Sequence, residues 1–455
     1  MAKSTVNMVE GQFFRKIALF ALPLAAASML QLLFNAADVV VVGRYAGDFA
    51  LAAVSSTGSL INLLVNLFMG LSVGFNVIAA RYLGAGDDTG VFHTVHTSIF
   101  ISLIGGAFLA VLGIFAAHPL LRMMSSPPEV IDLATLYLRI YFAGMPVMML
   151  YNFGSALLRS IGDTKRPLIC LALSGVVNVV LNLVFVIVFN MSVAGVALAT
   201  VISQGIAAWM VLYILIREQG PLHLDMKKLS LDGRTFRLIA SVGLPAGLQG
   251  TVFSLSNVVI QSSVNSFGPV IMAGNGAASN IESFVYVSMN ACYQACVTFT
   301  SQNVGAGKLK NINRILLRSQ QLVLLIGMGL GFSCVLFGHQ LLGFYSPDPA
   351  VIQAGMDRLW VIALTYALCG CMDTMVGSLR GMGSSVLPMV ISLLGSCVLR
   401  LIYVATVFRA DPTPFTLYLC YPISWTVTLA AHIVCFYFVR RNVYRRAELS
   451  AAQAM

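Results

Sequence analysis

Apolar runs of about 20 residues or more recur along the whole chain, separated by short polar stretches. Each is long enough to cross a hydrocarbon core of about 30 Å. They fall at 17–42, 51–80, 93–117, 130–156, 167–189, 193–216, 238–265, 272–300, 319–343, 351–377, 388–408 and 416–439. This pattern predicts an all-α integral membrane protein with twelve transmembrane helices, six on each side of the longest polar segment, Arg217 to Arg237. The expected division is an N-lobe over 1–216, a cytoplasmic linker over 217–237 and a C-lobe over 238–455. No polar stretch is long enough for an extramembrane domain, so recognition is expected inside the bundle.

The two halves repeat one another. Leu158–Arg159–Ser160–Ile161–Gly162, followed by Pro167, returns about 221 residues later as Leu379–Arg380–Gly381–Met382–Gly383, followed by Pro388. Gly84–Ala85–Gly86 returns as Gly305–Ala306–Gly307 at the same offset; one residue out of step, Leu22–Pro23 and Asn35 return as Leu244–Pro245 and Asn257. Duplicated membrane domains of this kind build a site between their halves, as many secondary transporters do. Pro23 and Pro245 sit inside the first helix of each half, where a missing donor weakens the ladder. The carbonyls so freed need partners, which puts such breaks against protein or a wet cavity. Gly70–xxx–Gly74 and Gly243–xxx–Gly247 permit close helix contact, with ordinary packing as their default use. Gly327–x–Gly329–x–Gly331 lies mid-span without a preceding strand, which excludes a dinucleotide fingerprint.

Only 10% of residues are charged, against roughly 25% in soluble domains. The net charge of +10 does not point to nucleic acid, because most basic residues fall in loops on one side. Arg44, Arg122 and Arg409 fall in the opposite loops, Arg139 and Arg358 near helix ends on that side, and Arg400 inside a span. This bias places both termini in the cytoplasm. The first apolar run continues to Val42, too long for a signal peptide, and is read as a retained helix. All nine cysteines lie within spans and are expected to pack as small buried side chains. His93 and His96 lack nearby acidic ligands, so no metal site is expected. No HExxH occurs and no GxSxG sits on a strand-to-helix elbow, which argues against an enzyme.

Ionisable residues inside apolar spans are costly and functional by default, at roughly 2.5–3.5 kcal/mol for a mid-bilayer carboxylate on insertion scales. Gln31, Asn35 and Asp38 are spaced to share one face of the first span. A polar stripe of this kind is either a helix–helix clasp or a cavity-facing acid that takes up a proton or cation. Asn178 and Asn182, one turn apart in the fifth span, and Thr200, Ser203 and Gln204 in the sixth are its expected partners. The second half carries Glu282, Asp373 and Arg400, with Arg400 expected to neutralise Asp373 or Glu282 in a buried pair. Asp163 falls in an inner loop and is expected to be solvated.

These residues together resemble the multidrug and toxic compound extrusion (MATE) family of antiporters over about residues 13–440. The resemblance rests on Leu22–Pro23, the Gln31/Asn35/Asp38 stripe ending in Val42–Gly43–Arg44, both Gly–Ala–Gly runs and both Leu–Arg motifs. Ile281–Glu282–Ser283–Phe284, Gln302–Asn303–Val304 and Tyr421–Pro422–Ile423–Ser424–Trp425 complete it. It implies two six-helix lobes that expel organic cations from the cell in exchange for protons or sodium, with no cofactor and with the chain acting as a monomer in the inner membrane. It further implies that Asp38 is the coupling acid, with Asn178 and Thr200 around it. Asn182 departs from the pattern, since many relatives carry a second aspartate there; a single-carboxylate proton switch fits this better than a two-acid sodium site. Another branch has acids in the seventh and tenth helices; here the seventh has none and Asp373 is displaced, so that branch's cation site is not supported. The alternative is a lipid-linked precursor flippase of the related superfold, which would favour a cationic cavity.

Overall fold

In the computed structural model, the described residues are 6–124 and 127–454; the side chains at 48, 59, 62–64 and 450–454 fall outside the description. Among the described residues every regular element is a helix and none is a strand. In chain order they are α1 (Phe13–Tyr45), α2 (Asp48–Ala85), α3 (Asp88–Met123), α4 (Pro128–Ala143), α5 (Met145–Ser160), α6 (Lys165–Val188) and α7 (Ser192–Arg217). The second half follows with α8 (Gly233–Asn265), α9 (Pro269–Gly305), α10 (Asn311–Leu336), the short α11 (Gly338–Gly343), α12 (Pro349–Gly381), α13 (Val386–Phe408) and α14 (Pro414–Ala454). Among the described residues ten helices are long and apolar enough to cross a membrane, or eleven when α4 and α5, bent by 48° about Gly144, count as one span. The remaining expected span, 272–300, lies within α9, a 37-residue helix that Asn275, Asn280, Glu282, Asn290 and Gln294 make less apolar.

The chain forms two compact units, whose limits fall inside helices rather than in the linker. One is built around Ala26–Gly247, the other from Asn7–Ala25 and from Leu248 onwards. The expected lobe limits were 216 and 238; instead α1 and α8 each change unit two residues after their proline, Pro23 and Pro245. The prolines therefore mark where each first helix leaves one unit for the other.

In the first unit, α3 packs against α4 and α5, α6 against α7, and α5 also against α7. Its core joins Val91, Val95 and Ile99 to Leu157, Leu158, Val211 and Leu215. Leu222 and Leu224 of the 217–237 segment are buried in the same cluster. That segment carries one 3₁₀ turn, Met226–Lys228, and is anchored to α3. The Asp225 N–H donates to His96 Nε2 at 3.2 Å and the Asp232 N–H to Thr97 Oγ1 at 3.1 Å. His96 is thus a structural clamp between α3 and this segment.

The two small-residue motifs turn out to be halves of one contact. A Cβ at Gly243 would sit 2.7 Å from Leu71 Cα, and one at Gly74 would sit 2.5 Å from Ile239 O. Gly70 meets the Gly247 backbone in the same way. The first half of α8 is thereby pressed against α2 at backbone distance. The Gly–Ala–Gly and Leu–Arg repeats act as helix stops. Gly86 and Gly307, and likewise Gly162 and Gly383, take φ between 68° and 90°, a region that glycine enters without steric cost.

In the second unit α12 lies against α9, α10 and α14. Arg380 of the Leu–Arg motif is buried there, donating from Nη1 to the Tyr293 hydroxyl at 2.6 Å and from Nη2 to Gln249 Oε1 at 2.8 Å. Gly327 and Gly331 let α10 approach Ala367 and Ala363 of α12, while nothing lies within 4 Å of a Cβ built at Gly329. Asp163 departs from its expected solvation: it is fully buried, accepts the Lys165 and Arg166 N–H groups and pairs with the Arg166 guanidinium. An acid at a helix N-terminus satisfies donors the helix leaves unpaired, which is why a loop aspartate is drawn inside.

Gly243→Leu is expected to lower the thermal unfolding midpoint of the purified protein, because overpacking costs about 1–3 kcal/mol. Gly329→Ala, made in open space, is expected to leave it unchanged or slightly raised. Equal behaviour of the two variants in a melting assay would contradict the α2–α8 contact.

Candidate cation-coupling site

The site in the first unit begins with a missing side chain. A Cβ at Gly175 of α6 would overlap the Phe34 ring, so glycine there lets α1 settle close to α6. Asp38 follows Phe34 by four residues, and Asn178 and Asn182 follow Gly175 by three and seven, spacings that keep each set on one helical face. The result is a contact between the Asp38 carboxylate and the two amides. Asn182 Nδ2 donates to Asp38 Oδ1 and, at 3.3 Å, to Asn178 Oδ1. The Thr200 hydroxyl donates to Asp38 Oδ2 at 3.4 Å and receives Asn178 Nδ2 at 3.4 Å. A π-helical turn, Val184–Val188, begins two residues after Asn182; such irregular turns often occur at functional sites.

Asp38 is 9% exposed and borders a cavity of about 450 Å³. Gln31 and Asn35 line the same cavity with Gln204, so the whole polar stripe of α1 faces it. Ser203 instead donates to the Thr200 carbonyl at 2.9 Å. The opposite wall comes from the bend between α4 and α5, which presents Tyr137, Tyr141, Met145, Met148 and Met149. Sequence reasoning missed these residues. Their signal was the Gly144–Met145–Pro146 break, which divides what reads as one apolar span. Among the described residues Asp38 is the single charged side chain in the lining, which contains no Lys, Arg or His. Its hydrogen-bond partners are neutral.

The second-unit residues form a different arrangement. Arg400 does not neutralise Glu282 or Asp373, contrary to expectation. It is 4% exposed, donates from Nε to Ser424 Oγ at 2.8 Å and lies 4.5 Å from the Tyr421 ring centroid and 5.8 Å from that of Trp425. Glu282 is paired instead by Arg358, through Nε to Oε1 at 3.0 Å and Nη2 to Oε2 at 2.7 Å. Arg358 also donates to Asn275 Oδ1 at 2.6 Å and lies 5.6 Å from both the Tyr418 and Tyr421 rings. It was placed near an outer helix end from sequence, but it lies inside α12, nine residues after Pro349, and is 6% exposed. Two-pronged pairing and ring faces suit guanidinium burial. Asp373 is half-buried and makes no ion pair among the described residues. The three second-unit candidates therefore do not form one cluster.

All nine cysteines are buried and free. Among the described residues no group of three or more His, Cys, Asp or Glu side chains could hold a metal.

Comparison with known proteins agrees with this architecture. A family model described as MatE matches residues 23–184 and again residues 245–406, so the family's own repeat falls on the duplication. The chain is similar to the probable multidrug resistance protein YpnP of Bacillus subtilis (strain 168), with 29% identity over 398 residues, 87% of this chain and 88% of that one. It is also similar to a FAD transporter of Shewanella oneidensis, with 24% identity over 443 residues, 96% of this chain and 97% of the other. A solved structure of a MATE protein in complex with MaL6 has the same fold, with a TM-score of 0.89 over 98% of this chain and 99% of that one at 22% identity. The chain belongs to the MatE family and is a multi-pass membrane protein of a family of transporters, not enzymes.

Proposed function

We propose that the protein exports cationic small molecules in exchange for protons, with Asp38 as the group that carries the proton. The observation that carries this reading is the isolation of Asp38 as the one charged group, among the described residues, on the wall of a cavity of about 450 Å³, held by neutral amide and hydroxyl donors. A carboxylate without a basic partner has two ways to be neutralised: it takes a proton, or a cation enters beside it. These two events exclude one another electrostatically, which is the requirement for antiport. If they also stabilise opposite arrangements of the protein, exchange follows by population shift. Inward movement of one proton down 100 mV supplies about 2.3 kcal/mol. Protonated Asp38 needs an acceptor, and Asn182 Oδ1 is buried without a partner among the described residues; rotation of that amide would provide one.

The tyrosine and methionine wall suits a cationic organic substrate, because cations lie favourably against ring faces and thioethers are adaptable. Relatives described as multidrug resistance proteins support drug-like cargo. A cavity whose described lining holds no basic residue is poorly suited to FAD or to a lipid-linked pyrophosphate, which weighs against the flippase reading. Asn182 in place of a second carboxylate favours protons over sodium. The basic residues concentrated on one side favour a location in the cytoplasmic (inner) membrane with both termini inside; the protein is proposed to act as a monomer. The Glu282–Arg358 pair is assigned a structural role in this scheme.

In proteoliposomes, a pH gradient imposed without sodium is expected to drive uptake or efflux of a cationic dye by the native protein. Asp38→Asn is expected to reduce this to the leak of empty vesicles, while Asp38→Glu retains part of it. Undiminished pH-driven transport by Asp38→Asn would sink the proposal, and dependence on sodium would replace the coupling ion.

Glu282→Gln leaves Arg358 buried without its counter-charge and is expected to cost about 3–5 kcal/mol of stability. It should lower the melting midpoint while the protein that remains folded still transports in a proton-dependent way. A Glu282→Gln protein as stable as the native one but uncoupled would assign this residue to coupling instead.

A further inference from the structure

A second cavity, of about 420 Å³, lies wholly in the second unit between α10, α12 and α14. Its trough is made by Leu316, Met375, Leu429, Ile433 and Phe436, and one end carries Asn313 and Arg440. It is a surface groove: Leu317 and Ile433 on its rim are more than half exposed. Inside it, Gln320 Nε2 donates to the Cys371 carbonyl at 2.9 Å. The trough itself is apolar and offers little to a polar solute.

The charge at the polar end is uncompensated. Arg440 donates from Nη1 to Asn313 Oδ1 at 2.8 Å and lies 5.9 Å from the Tyr444 ring centroid. Neither contact neutralises it. Arg314 and Arg318, exposed on the first turns of α10, and Arg441 likewise form no ion pair among the described residues. Among the described residues no carboxylate lines the groove. Along α14 the lining runs from Leu429 to Arg440, about 16 Å at 1.5 Å per helical residue. That matches the roughly 15 Å hydrocarbon depth of one leaflet, half of a core about 30 Å thick.

We propose that this groove is a binding site for an anionic phospholipid, whose acyl chain fills the apolar trough while its phosphate lies on Arg440. Basic pockets between transmembrane helices hold acidic headgroups in this way. The site rests on the membrane-spanning architecture alone; it would stand even if Asp38 had no part in coupling.

The test is native mass spectrometry of the full chain in detergent, titrated separately with dioleoylphosphatidylglycerol and dioleoylphosphatidylcholine. The native protein is expected to retain phosphatidylglycerol several-fold better than phosphatidylcholine. Arg440→Gln is expected to weaken phosphatidylglycerol binding by about five-fold, the effect of one basic side chain near a charged headgroup. Arg440→Lys should retain most of it. Arg445→Gln, the same charge change on another face of α14, should bind as the native protein does. Tail-free glycerophosphoglycerol should not displace the lipid, because the trough supplies the remainder of the affinity. Equal retention of the two lipids by the native protein, or an equal loss in Arg445→Gln and Arg440→Gln, would overturn the proposal.

Discussion

A carboxylate buried among neutral groups cannot keep its charge without a favourable neighbour, and Asp38 has been given no permanent one. Its partners are the amide of Asn182 and the hydroxyl of Thr200, and among the described residues no basic side chain lines its cavity. Much of the first unit serves this arrangement. Gly175 admits Phe34 and brings α1 against α6, and the bend between α4 and α5 opens space on the other side. The unmet electrostatic need of one acid gives the cavity its preference for a proton or a cation.

The duplication clarifies how this asymmetry arose. At the 221 offset, Ile61 and Tyr137 of the first unit correspond to Glu282 and Arg358 of the second. In the first unit both residues line the cavity; in the second the corresponding pair closes into a buried ion pair. Asn152, which also lines the cavity, corresponds to Asp373. Asp38 itself corresponds, through the offset of the first helices, to Ile260, which is buried against Val264, Leu417 and Cys420. The shared scaffold of helix stops thus carries an open cavity lined by one acid in one unit and, at the corresponding positions of the other, a buried ion pair.

What was legible in the sequence follows from the range of each interaction. The Gln31/Asn35/Asp38 stripe and the Asn178/Asn182 pair were visible because residues three or four apart share a helical face. The repeat located the helix stops at Gly86, Gly162, Gly307 and Gly383 because a positive φ has a residue signature. Arg358 was misplaced because distance from a helix end does not reveal which face a side chain takes or what opposes it. Arg400 was assigned a carboxylate because sequence offers no view of the Tyr421 and Trp425 rings that surround it. The Tyr137, Tyr141 and Met145 wall was hidden by a 48° bend inside a continuous apolar run. The change of unit within α1 and α8 depends on packing between distant segments, of which the two prolines were the local trace.

The central claim is that substrate and proton compete for one carboxylate. Adding a membrane-permeant organic cation such as tetraphenylphosphonium to the detergent-solubilised protein in weak buffer measures this directly through the protons released. About one proton per bound cation is expected from the native protein, at a pH where Asp38 is protonated, and none from Asp38→Asn. Equal proton release from both proteins, or cation binding by the native protein with no release at any pH, would contradict the account.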